Sequence, residues 1–377
     1  MKILHVFKTF INDSMGGTEQ VIAQLVSNKN ASDAEHTVLS LSNDAPGLIT
    51  GVGGIRNLRY SEDLTIASNS MSWRLLRDFK HIVKEYDVIH YHFPWPFADM
   101  LHLFGQVSKP SVLTYHSDVV RQKLWLKLYE PLMHYFLKSV DAIVATSPQY
   151  LATSPVLNKY RDKTEVVPIG IDRSHYPKSS NERLTYWRER FGQGYFLFVG
   201  MMRYYKGLSV LLDAITGTDC RVLIIGLGPM EEELKQQARR LKLNNVHFVG
   251  HVSETDKIAL LELSLGFVFP STMRSEAFGV SLLEAAMLGK PLVSTEIGTG
   301  SSYVNLHETT GLVVPPNDAN ALREALQYLW SHPKEAKRMG EQAALRHQAL
   351  FTGQHMVAGY DVVYRRVRLK FLARKSA

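Results

Sequence analysis

Along this chain, short runs of β-branched and apolar residues alternate with longer segments whose apolar positions recur every three or four residues. That is the pattern of buried strands alternating with amphipathic helices. Lys2–Phe7 predicts a first strand, and Gly16-Gly17-Thr18-Glu19 leads into a helix from Gln20 to about Ser27. Thr37–Leu41, Asp87–Tyr91, Ser111–Tyr115 and Ala142–Thr146 predict further strands. The alternation breaks after Val166–Asp172, and the polar stretch 173–182 with Pro177 reads as a linker. It restarts with Phe196–Gly200 and continues through Arg221–Gly226, Val246–Val249, Gly266–Pro270 and Pro291–Thr295. The prediction is an α/β protein of two Rossmann-like, doubly wound domains, 1–172 and 173–354. Residues 354–375 predict a closing helix, with Val357, Tyr360, Asp361, Tyr364, Val367 and Phe371 on one stripe. Ligands bind such sheets outside the carboxyl ends of the strands, so two sheets facing each other would place a site in the cleft between them.

Composition narrows the class. With 377 residues, 45% hydrophobic and 21% charged, the chain can fill two cores and is too apolar to be disordered. The net charge is +7, and residues 361–377 hold +5 of it: Arg365, Arg366, Arg368, Lys370, Arg374 and Lys375 against Asp361. A nucleic-acid enzyme spreads its charge along a groove, so no nucleic acid is expected. A basic tail points to an anionic surface such as a membrane, with a solvated helix end as the plain alternative. The single cysteine, Cys220, excludes an intrachain disulfide and a cysteine-rich zinc site, and it reads as a small core residue. The apolar start of the chain is too short for a secretion signal, and no apolar run approaches the ~20 residues that span a bilayer. A cytoplasmic protein, peripheral at most, is expected. Residues 120–138 mix Arg121, Lys123, Lys127 and Lys138 with Leu124, Trp125, Leu128, Leu132 and Phe136. Such a helix packs on the first domain or lies in a membrane interface.

Candidate chemistry gathers at strand ends. Pro270 ends a strand, a polar loop carries Glu276, and a helix starts near Gly279, holds Glu284 and stops at Gly289. Free N–H groups at that helix start suit an anion. Read singly, the two acids are a capping residue and a surface acid. Arg203 and Lys206 follow the strand Phe196–Gly200, where two cations can neutralise a diphosphate and stabilise it as a leaving group. Gly16-Gly17 permits close backbone approach to a phosphate or sugar. Gly226-Leu-Gly228-Pro229 is a fragment of a dinucleotide fingerprint that lacks its third glycine, which weakens an NAD-dependent oxidoreductase reading. His116 ends the strand Ser111–Tyr115 in a site-like place. His90 and His92 share one strand face, and only Asp99 or His102 lies near in sequence as a third ligand. No Asp-x-Asp pair occurs, so no metal site and no cofactor are expected.

Together Gly16-Gly17, His116, Arg203 with Lys206-Gly207, Gly226-x-Gly228-Pro229 and Glu276-x7-Glu284 resemble the retaining glycosyltransferases of family 4, which have the GT-B fold. The resemblance covers the whole chain. It implies that Arg203 and Lys206 hold the donor diphosphate, that Glu276 contacts donor sugar hydroxyls, and that His116 faces the transferred sugar. It places Phe278, Gly279 and Val280 near sugar and phosphate, Glu284 on the ribose, and His251 and Val252 beside the base. Gly16, Gly17, Gly200 and Gly228 complete the donor contacts. It also implies a C-terminal helix, 355–377, that crosses back to the first domain. Three stretches, His92–Asp99, Thr114–Arg121 and Gly298–Asn305, resemble bacterial mannosyl- and rhamnosyltransferases of O-antigen and exopolysaccharide assembly. The implied partners are a GDP-linked nucleotide-sugar, a lipid-linked oligosaccharide, the inner face of the cytoplasmic membrane and other polysaccharide-assembly enzymes. Asp99, Ser117, Asp118 and Arg121 are the acceptor-side candidates. A nucleotide-sugar epimerase of the same fold, a UDP-sugar-dependent transferase and a silent nucleotide-sugar-binding subunit are the alternatives.

Overall fold

A computed structural model describes residues 1–11, 13, 16–28, 33–44, 46–50, 54–66, 69–118 and 123–376, with the backbone alone for 123–128. The chain divides into two compact units, one formed by Met1–Gly170 with Gly353–Ala377 and the other by Ile171–Thr352.

The first unit is built on an eight-stranded sheet. Its strands are β1 (Lys2–Val6), β2 (Glu35–Leu41), β3 (Gly47–Thr50) and β4 (Arg56–Tyr60), followed, after a small hairpin of β5 (Leu64–Ile66) and β6 (Asn69–Met71), by β7 (Val88–Phe93), β8 (Ser111–Tyr115), β9 (Ala142–Ala145) and β10 (Thr164–Val166). The order is β10-β9-β8-β7-β1-β2-β4-β3, parallel except for β3. Strands β1, β7, β8 and β9 are buried on both faces and read as near-continuous apolar runs, as helix-covered parallel strands must. Strands β3 to β6 and β10 escape the hydrophobic pattern. They are short, or polar at alternate positions, and lie at or near sheet edges where one-sided burial suffices.

The helix Gly353–Ser376 belongs to this first unit. Met356, Val357, Tyr360, Val363, Tyr364 and Val367 are its buried side, and Asp361 lies at the margin of that stripe. Tyr360 hydrogen-bonds Thr114 through the two hydroxyls at 2.7 Å, and Tyr364 OH lies 2.7 Å from Nδ1 of His90. The helix Lys123–Ser139 buries Met133, Phe136 and Leu137, so its second half packs into the core while Tyr135 stays exposed. No described helix is long and apolar enough to cross a membrane.

The second unit carries a six-stranded, all-parallel sheet of β11 (Phe196–Val199), β12 (Val222–Ile225), β13 (Val246–Gly250), β14 (Gly266–Phe269), β15 (Leu292–Thr295) and β16 (Gly311–Val314). Its order is β13-β12-β11-β14-β15-β16. The chain fills one side of β11, then crosses to β14 and fills the other. The reversal makes the β11/β14 border the topological switch point, where ligands of such sheets bind. Phe196, Phe198, Val222, Ile224, Val268 and Val293 meet the helix residues Leu211, Leu326 and Met339 in one core that also holds Cys220.

Candidate functional site

Lys206 and Glu276 come together because the loops that carry them leave the carboxyl ends of neighbouring strands, β11 and β14. Their side chains form a salt bridge, both nearly buried. Ser271 Oγ donates to the same carboxylate oxygen at 3.3 Å. The ammonium also lies 5.0 Å from the Phe269 ring centroid and 5.7 Å from that of Tyr205, which favours a cation there. Burial and the Glu276 carboxylate raise the Tyr205 hydroxyl above its usual range. Arg203 opens the short turn Tyr204–Lys206 and is exposed; among the described residues it pairs with no carboxylate. One cation is thus fixed against an acid while a second reaches into solvent beside it in sequence.

Glycines set how closely these loops approach. Gly207 has φ +68°, and a Cβ there would overlap the carbonyl oxygen of Pro270, so the Lys206 turn can lie on the β14 loop only with glycine at this position. A Cβ at Gly228 would strike the backbone of Met202. Met202 N donates to Leu227 O at 2.9 Å and Met230 N to Met202 O at 3.1 Å. Gly226-Leu-Gly228-Pro229 therefore braces the Arg203 loop from below. Gly200 and Gly226 join this weave, with Gly200 N donating to Ile225 O at 3.0 Å.

The Glu276 loop is braced from its other side. Thr299 Oγ1 donates to Glu276 O at 2.8 Å, Gly300 N to Ala277 O at 2.8 Å, and Arg274 Nη1 to Gly298 O at 2.8 Å. Asn305 anchors that bracing segment through Leu292 O, Ser294 Oγ and Leu312 O. Gly298–Asn305 thereby acquires a physical role as the support of Glu276. The helix Val280–Met287 then begins at Gly279 with no side-chain cap, so its first N–H groups remain available to an anion. Phe278 is buried and Val280 half-buried at this start.

Glu284 lies one turn further along this helix and is buried. Lys257 Nζ reaches Oε1 of Glu284 at 2.8 Å and Glu254 at 2.8 Å. Burial alone would lower the Lys257 ammonium, but the two carboxylates raise it. Tyr176 completes the group: burial and a hydrogen bond to Glu284 push its hydroxyl well above the usual range. Lys257 and Tyr176 are absent from the sequence-based candidates. They lie on a helix and a loop with no local motif, and only tertiary packing points to them. His251 is exposed and Val252 half-buried, just past β13.

In the first unit His116 is buried, and its Nε2 lies 3.0 Å from Nδ1 of His92. Burial pulls its imidazole down to about 3. Gly16 precedes the helix Gly17–Ser27, whose first-turn Glu19 accepts from Thr9 Oγ1 at 2.6 Å. Asp99 is only 1% exposed, accepts from Tyr129 OH, and is held well above the carboxylate range by burial. That is an interior carboxyl rather than the open acceptor-side group expected. Asp118 accepts from Tyr115 OH at 3.1 Å and Ser154 Oγ at 2.8 Å, which gives its carboxylate a structural load. Ser117 is half-buried beside it, and Arg121 lies outside the described residues. The side chain that joins His90 and His92 from another strand is neither Asp99 nor His102 but His5, brought in by strand register, with His36 against the far side of His5. His5, His90 and His92 place ring nitrogens within 4.8 Å of one another, and each ring already hydrogen-bonds another side chain.

Comparison with known proteins bears on this arrangement. Residues 15–175 match the model of Glycosyltransferase Family 4, and residues 187–346 match that of Glycosyl transferases group 1. The chain is similar to the D-rhamnosyltransferase WbpZ of Pseudomonas aeruginosa, with 52% identity covering 93% of this chain and 92% of that one. It is also similar to the O-antigen chain mannosyltransferase C of Escherichia coli, at 45% identity over 97% of this chain and 98% of that one. Among solved structures, sucrose-phosphate synthase from Thermosynechococcus elongatus superposes with a TM-score of 0.78 at 20% identity, covering 97% of this chain and 98% of that one. That likeness shows the two-domain GT-B fold.

Proposed function

This chain belongs to glycosyltransferase family 4, and on that footing we propose that it transfers a hexosyl residue, D-rhamnose or mannose, from a nucleotide-sugar to an O-antigen glycan. The observation that carries the reading is the juxtaposition of Lys206 and Glu276 at the β11/β14 border. A diphosphate needs a cation at its leaving oxygen, and a sugar needs a carboxylate for its hydroxyls. Here the two stand in contact.

In this proposal Lys206 and Arg203 hold the donor diphosphate and stabilise it as it departs. Glu276 accepts from donor sugar hydroxyls, and the amides at Gly279 and Val280 serve the phosphate or sugar. Glu284, fixed by Lys257, accepts from the ribose, and His251 and Val252 flank the base. His116 faces the transferred sugar. Configuration is retained, the departing phosphate taking the proton of the acceptor hydroxyl. The two cations do the work a divalent metal does in enzymes with an Asp-x-Asp pair, so none is required.

The donor is GDP-linked and the acceptor lipid-linked in this reading, with the enzyme resting on an anionic membrane. The basic tail supports that last part less than its charge implies. Arg365 pairs with Asp361, Arg366 with Glu165, Arg368 with Asp87 and Arg374 with Asp141, leaving Lys370 and Lys375 beside the exposed Leu369 and Leu372. The test is a transfer assay with GDP-mannose, GDP-D-rhamnose and UDP-hexoses on a lipid-linked acceptor, with the linkage read by NMR. Transfer from a GDP-hexose with retained configuration is expected. Interconversion of the donor sugar without an acceptor would replace this reading with the epimerase.

A further inference from the structure

Four imidazoles cross the sheet of the first unit as one hydrogen-bonded chain. His5 on β1 pairs in parallel register with His90 on β7, and Ile3 pairs with His36 on β2, so His36, His5 and His92 project from one face. Thr114 on β8 pairs with His92, which puts His116 on that face as well. Nδ1 of His36 lies 2.8 Å from Nε2 of His5. Nδ1 of His5 lies 3.1 Å from Nε2 of His92, and Nδ1 of His92 lies 3.0 Å from Nε2 of His116. Every link runs head to tail, one ring's Nδ1 or its neighbour's Nε2 carrying the proton. His90 stands aside from the chain, held by Thr114 Oγ1 at 2.7 Å and Tyr364 OH at 2.7 Å.

A neutral imidazole carries one N–H and one bare nitrogen. In a head-to-tail chain each N–H must meet a bare nitrogen, so the four rings share one tautomer. Either all carry the proton on Nδ1 or all carry it on Nε2. Burial keeps the rings neutral: it draws His36 down to about 4 and His116 to about 3, and His5 and His92 well below their usual range. Two nitrogens, Nε2 of His36 and Nδ1 of His116, end the chain, and among the described residues neither has a hydrogen-bond partner. The charges that act on the His36 ring are the Asp361 carboxylate, which favours protonation of that imidazole, and the weaker opposing N-terminal ammonium. Asp361 also pairs with Arg365 and lines a cavity of about 330 Å³ with Met1 and Ala34, next to the start of β2.

We propose that His36, His5 and His92 are positioning residues that, under the pull of Asp361, hold His116 in its Nε2–H tautomer and leave Nδ1 of His116 as a hydrogen-bond acceptor toward a sugar hydroxyl. The sugar-facing role of His116 rests on the function proposed above; the shared tautomer does not. Wrong-tautomer imidazoles are poor catalysts even where geometry is intact.

Long-range ¹H–¹⁵N NMR of the full chain with labelled histidine reads each tautomer without any substrate. The wild type is expected to show Nε2–H at His36, His5, His92 and His116. His36→Phe removes the bare nitrogen that His5 donates to, and His116 shifts toward Nδ1–H. His36→Asn restores an acceptor at that point and returns His116 to Nε2–H. Asp361→Asn, at a half-exposed position, gives a mixture of the two forms and covers the case in which His36→Phe does not fold. In transfer assays kcat falls on the order of tenfold in His36→Phe, with donor KM unchanged, and recovers in His36→Asn. An Nδ1–H tautomer at His116 in the wild type, or a His116 tautomer unmoved by all three changes, overturns the proposal. So does a transition metal found bound at His5, His90 and His92 in the purified protein, because it would occupy nitrogens the chain needs. A protein with the expected tautomers that transfers no sugar refutes the enzymatic reading alone.

Discussion

Lys257 Nζ lies 2.8 Å from Oε1 of Glu284, and both side chains are buried. The pair fixes a carboxylate where water does not screen it. Removing one member of a buried pair leaves the other charge unmatched, at a typical cost of ~3–5 kcal/mol. Lys257→Met is therefore expected to lower stability by about that amount in urea denaturation. It is also expected to reduce the rise in melting temperature produced by a nucleoside diphosphate, because a Glu284 left unpaired takes a proton or turns away. An unchanged midpoint together with an unchanged shift would contradict this account of Glu284.

The histidine chain makes stability fall in acid. Folded His36 and His116 sit near 4 and near 3 against 6.5 when unfolded, and His5, His90 and His92 are also well below 6.5. Below 6.5 the unfolded chain binds more protons than the folded one. Stability is fully present above that value and is lost as pH falls toward 4 and below. Asp99 works in the opposite sense. Its folded value is raised above 3.8, so it opposes folding at neutral pH and that penalty fades in acid. Five imidazoles against one carboxyl leave a net loss. Denaturation midpoints should fall between pH 7 and pH 4, and fall more steeply in Asp99→Asn. Flat midpoints over this range would contradict the buried, neutral chain.

The tail gives a third prediction. Its paired arginines are held by Asp87, Asp141, Glu165 and Asp361, and exposed pairs of this kind add little and are screened by salt. Any membrane contact then falls to Lys370 and Lys375 with Leu369, 67% exposed, and Leu372, 47% exposed. Charge reversal at both lysines should weaken sedimentation with anionic liposomes, with an effect that shrinks at high salt. Binding that survives the reversal unchanged would return this helix face to solvent.

Much of this was legible in the sequence where the signal is local. Lys206 and Glu276 each follow an apolar run and end it with turn chemistry, and the alternation around them identifies a parallel sheet whose strand ends converge. The histidine chain was legible only in part. His90 and His92 share a face by simple alternation, but His5 and His36 join them through strand order, with 87 residues separating His5 from His92. Lys257 and Tyr176 were invisible for the same reason, since neither carries a motif and both are defined by what Glu284 meets in the fold. Arg366, Arg368 and Arg374 of the tail read as free charge because their acidic partners, Glu165, Asp87 and Asp141, lie more than 200 residues away in sequence.

The central claim is that Lys206 and Glu276 act together on one donor. Steady-state transfer from a GDP-hexose by Lys206→Ala and Glu276→Ala, each verified as folded by circular dichroism, tests it most directly. Each change is expected to lower kcat/KM by on the order of 10²–10³, the usual loss when a group stabilising transition-state charge is removed. The double variant should be little worse than either single one, because the two groups share one transition state. Near wild-type turnover in both folded single variants would contradict it.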